Sequence, residues 1–173
     1  MKDEVLNAIH GAFPVANPPD AESVVDEFVP ASRPLEAEEL RRELGGRVWT
    51  DLGSEFIDTH ADWLVYLTPR AFAYFVPAWL VYALDYYRAG YAADWIASFF
   101  AHPPASEPIS DLQARMLAAL DSQQKSAIIR WITYLCEAHA DEDPGHLKQQ
   151  GLSIEDAVYN LSLRPYDRLD GMI

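Results

Sequence analysis

Histidine and acidic residues cluster in one segment near the end of the chain that could hold a divalent cation. The segment contains side chains of the types that bind such ions, namely His139, Asp141, Glu142, Asp143 and His146. Their spacing matches no established metal site, and Pro144-Gly145 favours a loop that ends a helix. We therefore interpret the segment as a solvated acidic turn, with metal binding as the alternative, and we expect no cofactor.

A second group, Asp58, His60 and Asp62, has the residue types used in acid–base catalysis. Residues two apart on a helix do not share a face, so His60 cannot pair simply with both acids. His60 instead falls on the apolar face with Phe56 and Leu64. We interpret it as a histidine at the boundary of the core.

The single cysteine of the chain, Cys136, lies three residues before His139, which permits a thiol–imidazole pair on one helix face. However, Cys136 lies in an apolar run with Ile132 and Leu135, and a thiol buried in such surroundings is inert. Glycine-rich phosphate loops, serine hydrolase elbows, paired CxxC motifs and HExxH are absent from the sequence. An active site would have to be assembled from distant residues.

Charge is distributed unevenly along the chain. The 13 basic and 27 acidic residues give a net charge of −14. Residues 20–62 contain twelve acids and four bases, a net charge of −8 in about a quarter of the chain. Such a protein repels the phosphates of nucleic acids and anionic membranes, and it favours a cationic partner. Solubility alone is the alternative explanation of the acidity.

The composition is that of one folded domain, which we place at residues 1–173. The N-terminal sequence lacks the apolar region of a secretory signal, and the chain cannot form an internal disulfide, so we expect a cytoplasmic protein. The most apolar stretch, residues 63–84, is interrupted by Pro69, Arg70 and Pro77, whereas a membrane span needs about 20 mostly apolar residues. We predict a buried core helix there.

Apolar residues recur at helical spacing along most of the chain, and convincing strands are scarce. We predict an all-α fold, a compact multi-helix domain with a kinked, aromatic-rich central helix. The predicted helices cover residues 3–13, 22–28, 35–44, 56–67, 69–87, 92–100, 111–120, 122–139 and 153–163, and residues 48–50 are predicted to be extended.

Local signals mark the ends of several of these helices. Thr68-Pro69 starts the central helix, because threonine caps it and proline loses no useful donor at the first position. Pro77, inside that helix, implies either a bend or two shorter helices that meet there. Gly45-Gly46 predicts a left-handed cap, and Asp121 or Ser122 predicts the cap of a later helix.

Two segments resemble an uncharacterised bacterial family, domain of unknown function 6714. LTPRAFAYFVPAWLVYAL, residues 67–84, resembles that family's hallmark, and LDSQQKSAIIRWITYL, residues 120–135, resembles its second helix. The resemblance implies a helical fold and a bacterial origin, and the family has no activity to transfer. The chain departs from it at Asp121-Ser122, where the family tends to a second threonine-proline, and this affects only a helix cap.

These observations favour a binding module over an enzyme. We expect a bacterial immunity or antitoxin-type protein that neutralises a basic toxin or effector through clustered carboxylates, which speed encounter with a cationic partner. The residues expected to bind the partner are Glu36, Glu39, Glu43, Asp51, Glu55 and Asp58. One alternative is an enzyme with a cleft at the aromatic centre that uses His60 or His139. Another is a structural or self-associating protein that uses the tyrosines Tyr82, Tyr86, Tyr87 and Tyr91.

Overall fold

The computed structural model describes residues 1–27, 29, 33–86, 91–101, 109–139, 158 and 161–162. The described part is helical, as predicted, and contains no strand, although Val25 and Leu67 form one isolated antiparallel bridge. Its α-helices are α1 (Lys2–Ala12), α2 (Ala21–Val24), α3 (Pro34–Leu44), α4 (Ser54–Thr59), α5 (Pro69–Tyr86), α6 (Tyr91–Ala101), α7 (Ile109–Ala119) and α8 (Ser122–His139). Two short 3₁₀ helices, η1 (Trp49–Asp51) and η2 (Trp63–Tyr66), flank α4. The predicted helix at residues 153–163 lies almost entirely outside the described residues.

Helix α5 is the centre of the fold, and α1, α6, α7 and α8 all pack against it. Its predicted start is confirmed: the hydroxyl oxygen of Thr68 accepts a hydrogen bond from the backbone N–H of Ala71 at 3.2 Å, and Pro69 is the first helical residue. Phe72, Phe75 and Trp79 are fully buried. Among the described residues, no helix has both the length and the apolar character needed to cross a membrane.

Proline within α5 does not divide it. The helix runs from Pro69 to Tyr86 with Pro77 inside, so one continuous helix is observed rather than two that meet at the proline. Pro77 is itself buried, together with Val76 and Ala78 beside it. Burial of apolar surface on both sides of the ring offsets the hydrogen bond that proline removes, which costs about 3 kcal/mol in an isolated helix.

The helix predicted over residues 56–67 is wrong in its middle. Helix α4 ends at Thr59, and the chain turns through residues 60–62 before η2 begins. The backbone carbonyl of Ala61, which lies in this turn, accepts a hydrogen bond from the indole N–H of Trp79 at 3.1 Å. A buried tertiary partner therefore replaces the helical one that the break removes.

Two shorter predictions also need correction. Residues 49–51 form η1 rather than an extended segment, although Val48 is extended. Helix α2 ends at Val24 instead of continuing to residue 28, because the next residue, Val25, pairs with Leu67. The bridge holds the end of α2 against Leu67, just before α5, and η1 packs against α5 itself, neither of which a local pattern contains.

The left-handed residue after α3 is Gly46, with φ of +73°, whereas Gly45 has φ of −58°. Gly45 has a different role, since a Cβ there would lie 2.6 Å from the backbone oxygen of Arg41 and 2.7 Å from Cα of Ala21. Such distances are shorter than any normal contact. The glycine pair thus ends α3 and also lets α2 pack closely on it.

Asp121, rather than Ser122, caps α8. One oxygen of its carboxylate accepts hydrogen bonds from the backbone N–H groups of Gln123 and Gln124, both at 2.8 Å, and the side chain of Gln124 accepts from the backbone N–H of Asp121. The sequence had left the choice between the two residues open.

We expect Asp121→Ala to lower the free energy of unfolding by about 1 kcal/mol, the usual contribution of a capping side chain. Urea unfolding followed by circular dichroism measures the change. Ser122→Ala is the matched control, because no capping bond depends on that exposed hydroxyl, and it should stay within about 0.5 kcal/mol of the wild type. Equal losses in the two variants would contradict the assignment.

Candidate functional site

Three of the six predicted partner-binding acids lie on α3, and each is near an arginine. Glu36 lies 3.6 Å from Nη1 of Arg33, while Glu39 and Glu43 lie 3.4 and 3.1 Å from the guanidinium of Arg42. All three carboxylates remain partly exposed, and surface pairs of this kind contribute about 0–1 kcal/mol. The two arginines offset part of the negative charge of the three carboxylates, which stay on the surface.

Next to α3, three rings form an aromatic cluster made of Phe56, His60 and Trp63. The imidazole of His60 stacks on the indole at 3.7 Å between centroids, and Phe56 lies 4.7 Å from the imidazole. Burial lowers the pKa of His60, while the charges of Glu39 and Glu43 oppose that shift. His60 is half-buried, in agreement with its interpretation as a boundary histidine.

The lowered pKa of His60 predicts a pH-dependent stability. Below its ordinary pKa of 6.5 the unfolded chain binds the proton more readily than the folded chain. The free energy of unfolding should therefore rise as the pH increases towards 6.5 and stay level above it, as far as this group is concerned. Urea titrations of the wild type and His60→Gln across this range isolate the contribution as a difference between them. A pH-independent difference would contradict the prediction.

The other three predicted acids are exposed and lie on η1 and α4. Asp51 ends η1, Glu55 lies in the first turn of α4, and Asp58 lies one turn further along. Asp58 accepts a hydrogen bond from the hydroxyl of Tyr82 at 2.6 Å. Burial, followed by this bond to the carboxylate, raises the pKa of Tyr82 well above its usual range. Helix α4 thus has the aromatic cluster on one side and α5 on the other.

A groove of about 370 Å³ lies between α1, η1, α4 and the end of α5. Aromatic rings line much of it: His10 lies 5.1 Å from Trp49, and Tyr82 stacks on Tyr86 at 4.8 Å with an angle of 21° between the rings. Tyr86 is 41% exposed, whereas Tyr82 is buried. The wall also contains Asp85, so the groove combines aromatic faces with a carboxylate.

Two polar groups of the groove have unusual surroundings. Asp85 forms an ion pair with Lys2, which lies 83 residues away in sequence, and both side chains are about half exposed. That carboxylate raises the pKa of Lys2. The indole N–H of Trp49 has no hydrogen-bond acceptor, although the residue is only 2% exposed. Buried donors normally have a partner, so this one is an exception that needs a cause.

The acidic region predicted at residues 20–62 is not one uniform surface. Asp26 is only 4% exposed and lies 3.5 Å from Nη1 of Arg115, so it ties α7 to the segment after α2. The six predicted partner-binding acids fall into two groups, Glu36, Glu39 and Glu43 on α3 beside the aromatic cluster, and Asp51, Glu55 and Asp58 on η1 and α4 beside the groove.

Within the described part of the chain, the candidate catalytic and metal-binding residues do not come together in a catalytic or metal-binding site. Cys136 is half-buried, and burial raises the pKa of its thiol, which keeps it protonated and weakly nucleophilic. Within the described part of the chain, no three His, Cys, Asp or Glu side chains are placed to hold a metal ion. Most of the predicted metal segment, residues 141–146, lies outside the described residues, as does Tyr87 among the tyrosines.

Comparison with protein families agrees with the resemblance of the two central segments. The chain matches the model of a family of unknown function, DUF6714, over residues 1–154. The chain belongs to this family. The match covers α1 to α8, including the aromatic cluster and the groove. No curated protein and no solved structure shows significant similarity to the chain.

The sequence did not single out Asp85, His10 or Trp49 as site residues. Tyr82 and Tyr86 were noted, and the spacing of Asp85 between them places all three near one side of α5. That spacing was the available signal. The contributions of α1 and η1 to the groove come from tertiary packing, which no local spacing reveals.

Proposed function

We propose that this protein binds a basic protein through the exposed carboxylates of η1, α4 and the end of α5. The observation that supports this most directly is the placement of Asp51, Glu55 and Asp58 on one short stretch of surface, next to a groove that contains Asp85. Clustered charge of one sign increases the rate of encounter with a partner of the opposite sign.

The finer proposal is that the partner is a toxin or effector and that the protein is a cytoplasmic, immunity- or antitoxin-type neutraliser of bacterial origin. Its support is physical. The chain has a net charge of −14, and its exposed carboxylates resemble the phosphates to which a nuclease or other basic effector binds. A neutraliser also needs no chemistry of its own. Glu36, Glu39 and Glu43 on α3 would contribute at longer range, because Arg33 and Arg42 offset part of their charge.

An affinity pull-down from a lysate of the source organism tests the proposal. We expect one stoichiometric basic protein that is retained at low salt by the wild type and is lost with an Asp51→Lys/Glu55→Lys variant. Retention should weaken at high salt, because the distance over which exposed charges interact falls from about 10 Å at roughly 0.1 M salt to about 3 Å at roughly 1 M. Recovery of no basic protein at either salt concentration would overturn the proposal and leave the acidity as a solubility property.

A further inference from the structure

We propose that the groove between α1, η1, α4 and α5 binds an arginine side chain from the basic partner. This inference rests on the proposed function and deepens it, since it assigns the specific contact to the groove and the long-range attraction to the surrounding acids. Aromatic faces and a carboxylate occur together in this groove.

Asp85 and the stacked tyrosines would bind the charged end of the ligand. A guanidinium is planar, so it can lie on the exposed ring of Tyr86 while its N–H groups reach the carboxylate of Asp85. Asp58 adds negative charge beside the groove, because its carboxylate accepts a hydrogen bond at 2.6 Å from the hydroxyl of the lining residue Tyr82. A volume of about 370 Å³ is at the lower end of the range for small-ligand pockets, about 300–1,000 Å³, and accommodates one long side chain.

The indole of Trp49 reports on the groove without contacting the ligand through its N–H. Trp49 lines the groove, with its ring 5.1 Å from that of His10, whereas its N–H is buried and out of reach of a ligand. A ligand in the groove therefore changes the surroundings of this ring.

Lys2 already forms an ion pair with the carboxylate of Asp85, to which we propose that the arginine binds. Its ammonium pairs with Asp85 at the edge of the groove, so the chain's own cation takes the place of the partner's. The incoming guanidinium must displace or share this contact. Removing Lys2 should therefore strengthen binding, whereas a lysine that only fastens α1 to α5 would have the opposite effect or none.

The test uses the full ¹⁵N-labelled chain and the peptide acetyl-Gly-Arg-Gly-amide, with its citrulline counterpart as the uncharged control. We expect the indole N–H signal of Trp49, assigned by Trp49→Phe, to shift saturably with the arginine peptide. The citrulline peptide should bind about tenfold more weakly, because a charge-assisted hydrogen bond is lost. Equal binding of the two peptides, or no shift of the Trp49 signal, would overturn the proposal.

Three variants sharpen the test. Asp85→Asn should weaken binding of the arginine peptide by about tenfold, and Lys2→Met should tighten it by about threefold, the size expected for an exposed pair. Glu137→Gln removes the same charge from the exposed surface of α8 and should change nothing. An equal effect of Asp85→Asn and Glu137→Gln, or weaker binding by Lys2→Met, would contradict the assignment.

The peptide titration and the pull-down fail independently. A basic partner that binds while the peptide does not would overturn the groove assignment and leave the proposed function standing. Peptide binding in the groove without any basic partner at either salt would overturn the proposed function alone.

Discussion

Replacing Trp79 by alanine should lower the free energy of unfolding by about 3–5 kcal/mol, which is a large part of the 5–15 kcal/mol typical of a domain. Trp79 is fully buried in α5, and its indole N–H supplies the partner of the Ala61 carbonyl in the turn after α4. The substitution therefore creates a cavity and also leaves a buried acceptor unpaired.

A second substitution separates these two effects. Trp79→Phe keeps most of the apolar volume but removes the N–H donor, so we expect a smaller loss of about 1–3 kcal/mol from the unpaired carbonyl. Leu35→Ala is the control, because that side chain is 76% exposed and should be nearly neutral. Urea unfolding followed by tyrosine and tryptophan fluorescence measures all three. An unchanged midpoint for Trp79→Ala would contradict the assigned role.

Reversing charge on the proposed binding surface should slow association more than any other surface change. In Asp51→Lys/Glu55→Lys, two exposed carboxylates become ammonium groups, and we expect the association rate constant for the basic partner to fall by about tenfold at low salt. The salt dependence of that rate should flatten in the same variant, because steering is the part of association that ions screen. Surface plasmon resonance over a series of salt concentrations measures both quantities.

A control with the same change in net charge tests whether position matters. Glu4 and Glu137 are exposed on α1 and α8, and neither lies on η1 or α4 or lines the groove. Glu4→Lys/Glu137→Lys should reduce the association rate far less than the double variant on η1 and α4. If both double variants slow association equally, only the overall charge matters and the surface assignment is wrong.

Most helices could be predicted because their signals are local. The periodic apolar residues of α1, α3, α5, α6, α7 and α8 marked these helices within a few residues of their ends. Thr68 makes the capping bond that its position predicted, and Asp121, one of the two residues predicted to cap α8, makes the capping bonds there. The extent of the chain as one domain over residues 1–173 stays a prediction.

The errors have tertiary causes. Phe56, His60 and Trp63 keep helical spacing across the end of α4, and their rings do contact one another, so the pattern itself contains no sign of the break. The turn is stabilised by Trp79, which is 18 residues from its acceptor. Similarly, the end of α2 depends on a bridge to Leu67.

The candidate site was predictable in its charge but not in its shape. Composition located the acids at residues 20–62, and the structure places the six predicted partner-binding acids on α3, η1 and α4 and buries Asp26 beside the half-exposed Arg115. The ion pair between Lys2 and Asp85 joins residues that are 83 apart, and nothing in either local sequence indicates it. A groove needs such distant contributions, so only the fold reveals it.

The bridge between Val25 and Leu67 has a consequence for how the molecule opens to solvent. Beside it, the backbone N–H of Thr68 donates to Val24 at 2.9 Å, that of Asp26 donates to Tyr66 at 3.0 Å, and the Thr68 hydroxyl donates to Ser23 at 2.6 Å. The first turn of a helix normally frays and exchanges its amide protons quickly. Here that turn is closed by a distant segment, so deuterium should enter the amides around Thr68 only when α2 and α5 separate as a unit.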